Sequence, residues 1–196
     1  MREALIVVDV QNDFCPGGAL AVPDGDAVVP VLNEYIARAA RAGLLVIASR
    51  DWHPERTVHF TAFGGPWPPH CVQHTPGAGF HPDLRLPEHV ILATKGDSER
   101  DEGYSALEGH TSDGRRLLDV LRSQGVEHVY VGGLATDYCV RATALDALAA
   151  GLRVSYLADA SLPVDVRPGD GERAREEMRA AGVEELTLTT FHPLSE

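Results

Sequence analysis

Apolar residues fall along this chain in two alternating patterns. Short unbroken runs occur at Ala4 to Val10, Leu44 to Ser49, His89 to Thr94, Glu127 to Val131 and Arg153 to Leu157, with a weaker one at Glu185 to Thr189. Continuous rather than alternating apolarity suits parallel strands buried on both faces. Between the runs, apolar residues recur at the helical period. Asp26 to Ala42 carries Leu32, Ile36, Ala39 and Ala40 and stops at Gly43, and Asp113 to Gln124 carries Leu117, Leu118 and Leu121 and stops at Gly125. Asp137 to Ala150 buries Val140, Ala144, Leu145 and Leu148, and Pro168 to Ala181 carries Ala174, Met178 and Ala181 beneath a charged, solvated face. Strands alternating with helices predict a three-layer α/β/α fold on a doubly wound, mainly parallel six-stranded sheet. Right-handed crossovers leave few topologies; in the order 3-2-1-4-5-6, the one expected here, the switch point lies between the first and fourth strands. A chain of 196 residues predicts one domain, 1–196. One stretch breaks the pattern: a loop at about 51–88 has almost no periodicity and holds seven prolines and most of the histidines. A loop this long inside a compact domain is usually functional.

The ends of the strands carry the chemistry. Asp9 follows the first strand, Asp51 the second and Lys95 the third. After the fourth, Gly132 and Gly133 are expected to break the strand, and Thr136 and Asp137 offer helix N-caps. Cys139 then falls in a helix's first turn, where free N–H groups and the helix dipole favour a thiolate. The same turn could hold an oxyanion. Each residue also has a plainer reading: a small buried apolar cysteine, an aspartate capping its loop, a solvated lysine. The switch point puts Asp9 and Cys139 in one crevice. Lys95, after an edge strand, must reach across to join them.

Within the long loop stand Asp51-x-His53, His59, His70 and His74. Imidazoles and a carboxylate at close spacing are what a divalent transition metal needs. The net charge of −12 argues against nucleic acid and anionic membranes as partners. Three cysteines are too few and too odd for a disulfide framework and suit a reducing, cytoplasmic setting. No signal-peptide pattern or membrane span is expected.

These motifs together carry a resemblance over essentially the whole length. They are Ile6-Val7-Val8-Asp9-Val10-Gln11-Asn12-Asp13-Phe14-Cys15, Asp51-Trp52-His53-Pro54, Trp67-Pro68-Pro69-His70-Cys71-Val72, Lys95-Gly96, Tyr104-Ser105 and Gly133-Leu134-Ala135-Thr136-Asp137-Tyr138-Cys139-Val140. The chain resembles the nicotinamidases, or pyrazinamidases, of the isochorismatase-like hydrolase superfamily. The resemblance implies the isochorismatase-like fold and a catalytic triad of Asp9, Lys95 and Cys139. It implies backbone N–H groups of Ala135 and Cys139 as an oxyanion hole, with a cis peptide between Leu134 and Ala135. It implies one divalent metal on Asp51, His53, His59 and His70, with zinc foremost and iron or manganese as alternatives. The Trp-Pro-Pro-His frame favours His70 over His74, with His74 as the alternative ligand. Phe14 and Trp67 would sandwich the substrate ring, with Tyr104 and Leu134 at matching pocket positions. The implied reaction converts nicotinamide to nicotinate and ammonia through a thioester, in NAD salvage, with pyrazinamide as a second substrate. A small molecule is the implied partner, and a homo-oligomer is compatible with the chain. The rivals are an amidohydrolase for a carbamoyl or ureido group, a vinyl-ether hydrolase, and a non-catalytic binding domain. A nucleotide-binding flavodoxin-like module ranks last, since no Gly-x-Gly-x-x-Gly follows the first strand.

Overall fold

The computed structural model describes residues 2–193. Six strands form one parallel sheet in the order β3-β2-β1-β4-β5-β6, as the alternation of runs predicts. They are β1 (Arg2–Val8), β2 (Leu45–Asp51), β3 (Ile91–Lys95), β4 (Val126–Leu134), β5 (Arg153–Leu162) and β6 (Glu184–Leu186). The helices are α1 (Val28–Arg41), α2 (Leu117–Ser123), α3 (Arg141–Ala149) and α4 (Asp170–Ala181). Central β1 shows why its run is unbroken. Ala4, Ile6 and Val8 pack in one core with residues of α2, α3 and α4, whereas Leu5 and Val7 pack in the other with α1. No helix among the described residues is long and apolar enough to cross a membrane.

Several boundaries differ from the sequence expectation. β4 does not break at Gly132 and Gly133 but runs through both to Leu134. At Gly133 (φ 128) an added Cβ would lie 2.1 Å from Val8 O, so glycine is what lets β4 approach β1 at the switch point. β5 continues past Leu157 to Leu162, because Ser161 and Leu162 pair with Gly133 and Leu134. α2 starts at Leu117 rather than Asp113, whose carboxylate instead closes a turn with Thr111 and Arg115. A 3₁₀ turn (Gly25–Ala27) precedes α1, and α4 begins two residues after Pro168.

Ahead of α3, the segment Thr136–Val140 forms a π turn, with Cys139 inside it. Neither Thr136 nor Asp137 caps the helix as expected. The Asp137 carboxylate turns away and accepts from Val164 and Asp165 instead. π turns of this kind are rare and recur at functional sites. The expected cis peptide between Leu134 and Ala135 is present.

Candidate active site

The carboxyl ends of β1, β2, β3 and β4 converge on one buried cluster. Asp9, the first residue beyond Val8, adopts a left-handed backbone (φ 48), uncommon for a residue with a side chain. Its Oδ1 accepts from Ser49 Oγ at 2.7 Å and its Oδ2 lies 2.7 Å from Lys95 Nζ. Lys95 also pairs with Asp51 Oδ1, donates to Gly103 O at 2.5 Å and lies 3.5 Å from Cys139 Sγ. Strand register explains how a lysine from the edge strand gets there. Val8 pairs with Ser49, so β2 runs two residues beyond β1, and Asp51 pairs with Lys95. The lysine therefore stands beside Asp51 and reaches back over the end of β1 to Asp9.

Burial and neighbours set the charges. Burial opposes the Lys95 ammonium, but Asp51, Asp9 and Cys139 together hold its pKa well above the ordinary lysine value. Burial would raise Asp51, but the Lys95 ammonium beside it is the main influence holding it well below the usual carboxylate range. Burial raises Asp9; Lys95 opposes this and Asp51 adds to it. Burial also pushes the Cys139 thiol well above its ordinary value; Lys95 pulls it down, while Asp9 and Asp51 push it further up. The surroundings thus favour the thiol over the thiolate that its place near a helix start suggests. In the metal-free protein, we expect no thiolate ultraviolet absorbance from Cys139 below about pH 8.5, the ordinary thiol value. A difference titration against Cys139→Ala checks this, and a step in the neutral range would overturn it.

Beside the cluster, His53, His59 and His70 bring ring nitrogens within 4.8 Å of one another. Asp51 Oδ2 lies 3.6 Å from His53 Nε2 and 4.0 Å from His70 Nε2. His53 Nδ1 is 3.0 Å from Gly96 O, and His70 Nδ1 is 2.7 Å from Pro68 O. A carbonyl can only accept, so each Nδ1 carries the proton and each Nε2 presents a lone pair. His53 Nε2 is buried with no hydrogen-bond partner, as expected of an atom reserved for a metal. Gly96 (φ 64) is needed here, since a Cβ would lie 2.5 Å from the His53 ring. Burial lowers the pKa of His59 to about 3 and also lowers that of His70, keeping both neutral as metal ligands require. These donors fit a divalent transition metal. His74 is exposed and stands edge-on to Trp52, away from the group.

A narrow cavity, open at its mouth, adjoins both clusters. Cys139, Asp51, His59 and His70 line its polar side. Phe14, Trp67 and Tyr104 line it as expected, and Trp67 Nε1 donates to Tyr104 Oη at 3.0 Å. Ala135 also lines it. Leu134, expected at a pocket position, does not line it; its side chain is fully buried in the core that α1 covers.

Several site residues escaped the sequence reading. Tyr138, Leu20, Val22 and Val164 complete the wall. Ser49 and the carbonyl of Gly103 hold Asp9 and Lys95. Gln11, fully buried, exchanges 2.8 Å hydrogen bonds with both the backbone N–H and the carbonyl of Asp51 and donates to Ala78 O. Its place in the Asp-Val-Gln motif was the available signal. For Tyr138, adjacency to Cys139 was the signal; for Val164 there was none.

A model of the Isochorismatase domain matches residues 3–190. The chain is 45% identical to the nicotinamidase/pyrazinamidase of Mycobacterium tuberculosis, over 92% of this chain and 96% of that protein. A crystal structure of the pyrazinamidase of Pyrococcus horikoshii in complex with zinc superposes with a TM-score of 0.88. It is 49% identical, covering 96% of this chain and 100% of that one. The structure of PnC1 from L. infantum in complex with nicotinate superposes with a TM-score of 0.81 at 34% identity, over 96% and 93% of the two chains.

Proposed function

The chain belongs to the isochorismatase family, and from that membership we propose how its site hydrolyses nicotinamide to nicotinate and ammonia. The observation that carries the reading is the convergence of Asp9, Lys95 and Cys139 beside a histidine cluster and a narrow aromatic cavity. Asp9 takes the Cys139 proton as Sγ attacks the carboxamide carbon. Backbone N–H groups of Ala135 and Cys139 hold the oxyanion. Asp9 then returns the proton to the nitrogen, ammonia departs and a thioester remains. A water gives its proton to Asp9, attacks the thioester carbon and releases nicotinate, and the proton returns to Cys139 sulfur. Because burial favours the protonated thiol, we assign its transfer to Asp9 to the attack step. A carboxyl with a raised pKa suits a group that must both accept and return a proton. Lys95 anchors Asp9 and balances the negative charge that passes between Asp9 and sulfur.

Phe14 and Trp67 supply apolar walls for a flat ring, and Tyr104 fixes the Trp67 indole. Asp51, His53, His59 and His70 would hold one divalent metal, zinc in our reading, supplying a Lewis acid to bind the ring nitrogen. The three free cysteines support placing the reaction in the cytoplasm. Ammonia release from nicotinamide, with and without a chelator, tests the function; no release by the metal-loaded protein would reject it. We further expect His53→Ala to weaken metal binding at least about tenfold, raising KM more than it lowers kcat. Elemental analysis after dialysis checks this, and unchanged metal content would exclude His53 as a ligand.

A further inference from the structure

Asp137 lies two residues before Cys139 and is buried, yet it neither lines the cavity nor caps α3. Its two carboxylate oxygens accept from consecutive backbone groups on another segment: Oδ1 from Val164 N and Oδ2 from Asp165 N, both at 2.9 Å. That segment leaves β5 at Leu162 and reaches α4 without forming helix or strand between. Val164 forms part of the cavity wall. Asp165 has a left-handed backbone (φ 51), and its own Oδ1 accepts from Gly171 N at 2.7 Å. The irregular segment is therefore tied at one end to α4 and at the other to the turn that carries the nucleophile. A carboxylate accepting two parallel N–H bonds makes a charge-assisted, geometrically specific contact.

We propose that Asp137 is a positioning residue that sets how far Val164 reaches into the cavity. The pair Asp137–Val164 thereby determines which ring substituents the site admits. The inference rests on the aromatic-amide reading above. The same carboxylate joins the turn presenting sulfur to the wall limiting the ring, and it is the side-chain tie between them beyond the Leu134–Leu162 pairing that ends the β4–β5 ladder. An asparagine offers one acceptor and one NH₂, and the NH₂ would face a backbone N–H, replacing one attraction with a donor–donor clash.

The test compares kcat/KM for nicotinamide and for a series of ring-methylated nicotinamides, using metal-loaded wild type, Asp137→Asn and Val164→Ala. For at least one methylated amide, the ratio to nicotinamide should rise about tenfold or more, the range expected when a pocket gains room for a methyl group. The same amide should gain in both variants. The double variant should gain less than the product of the two single effects, because both act on one wall. Ratios unchanged within about twofold in both variants, or gains on different amides, would overturn the proposal. Asp137→Ser, which keeps a single acceptor, replaces Asp137→Asn if the latter does not fold, with the same expected gain. Folded, metal-loaded Asp137 variants that lose all amides equally would assign the carboxylate to the nucleophile turn alone and overturn it too. Failure of wild type to hydrolyse nicotinamide would instead reject the underlying function.

Discussion

Cys139→Ala is expected to abolish ammonia release from nicotinamide, lowering kcat by at least about 10⁴-fold, while metal content stays near that of wild type. The two halves of this expectation come from different parts of the site. Cys139 is the one cysteine lining the cavity among the described residues; Cys15 and Cys71 are buried elsewhere. No other described residue lines that cavity with a thiol or an aliphatic hydroxyl. Without sulfur, hydrolysis would need direct attack by water on an amide, with no thioester to divide the barrier. The His53 and His70 rings, by contrast, are oriented by Gly96 O and Pro68 O rather than by Cys139. Cys139→Ser should fare little better, because a buried hydroxyl is a far weaker acid than a thiol. An ammonia assay alongside elemental analysis checks both halves. Activity within about tenfold of wild type would remove Cys139 from the mechanism, whereas lost metal would show that sulfur serves the metal site.

What the sequence revealed and what it hid follow from the range of the interactions concerned. β1 was legible because a strand covered on both faces must be apolar at every position, and Leu5, Ile6, Val7 and Val8 are. The crevice joining Asp9 to Cys139 was legible because strand order alone fixes a switch point. Gly132 and Gly133 misled because glycine usually weakens a strand, whereas here the neighbour is the Val8 backbone, which leaves no room for a Cβ at Gly133. Asp137 misled for a similar reason. An aspartate before an Ala/Leu-rich run is a strong local N-cap signal, but its partners, Val164 and Asp165, lie 27 and 28 residues away. The protonation state of Cys139 was hidden entirely. Its position in the chain suggests a helix dipole, but the dominant effect is burial, with two carboxylates nearby, and only the fold supplies those. How Lys95 crosses from the edge strand likewise required the β2–β3 register.

Lys95 bears most on stability. Its side chain is fully buried between the buried carboxylates of Asp9 and Asp51, so one cation balances two anions before any metal arrives. Lys95→Met keeps much of the volume and removes the charge. In the metal-free protein this should cost about 3–5 kcal/mol at neutral pH, the usual penalty for leaving a buried charge without its partner. The pH dependence identifies the cause. Without Lys95, the folded-state pKa of Asp51 rises above the unfolded carboxylate value of about 4, and that of Asp9, already raised in wild type, climbs further. The folded state then binds more protons than the unfolded one, so stability falls as pH rises through that range. In wild type, Asp51 has a depressed folded pKa, and the stability it contributes is lost as pH falls below about 4. The two stability curves should therefore approach each other near pH 4 and separate toward pH 7. Urea unfolding across that range measures the gap; a gap independent of pH would mean that Lys95 acts by packing rather than by charge. Adding Asp9→Asn to Lys95→Met should recover part of the lost stability, because one uncompensated carboxylate is gone. It should recover none of the activity, because the group we assign to proton transfer is gone with it.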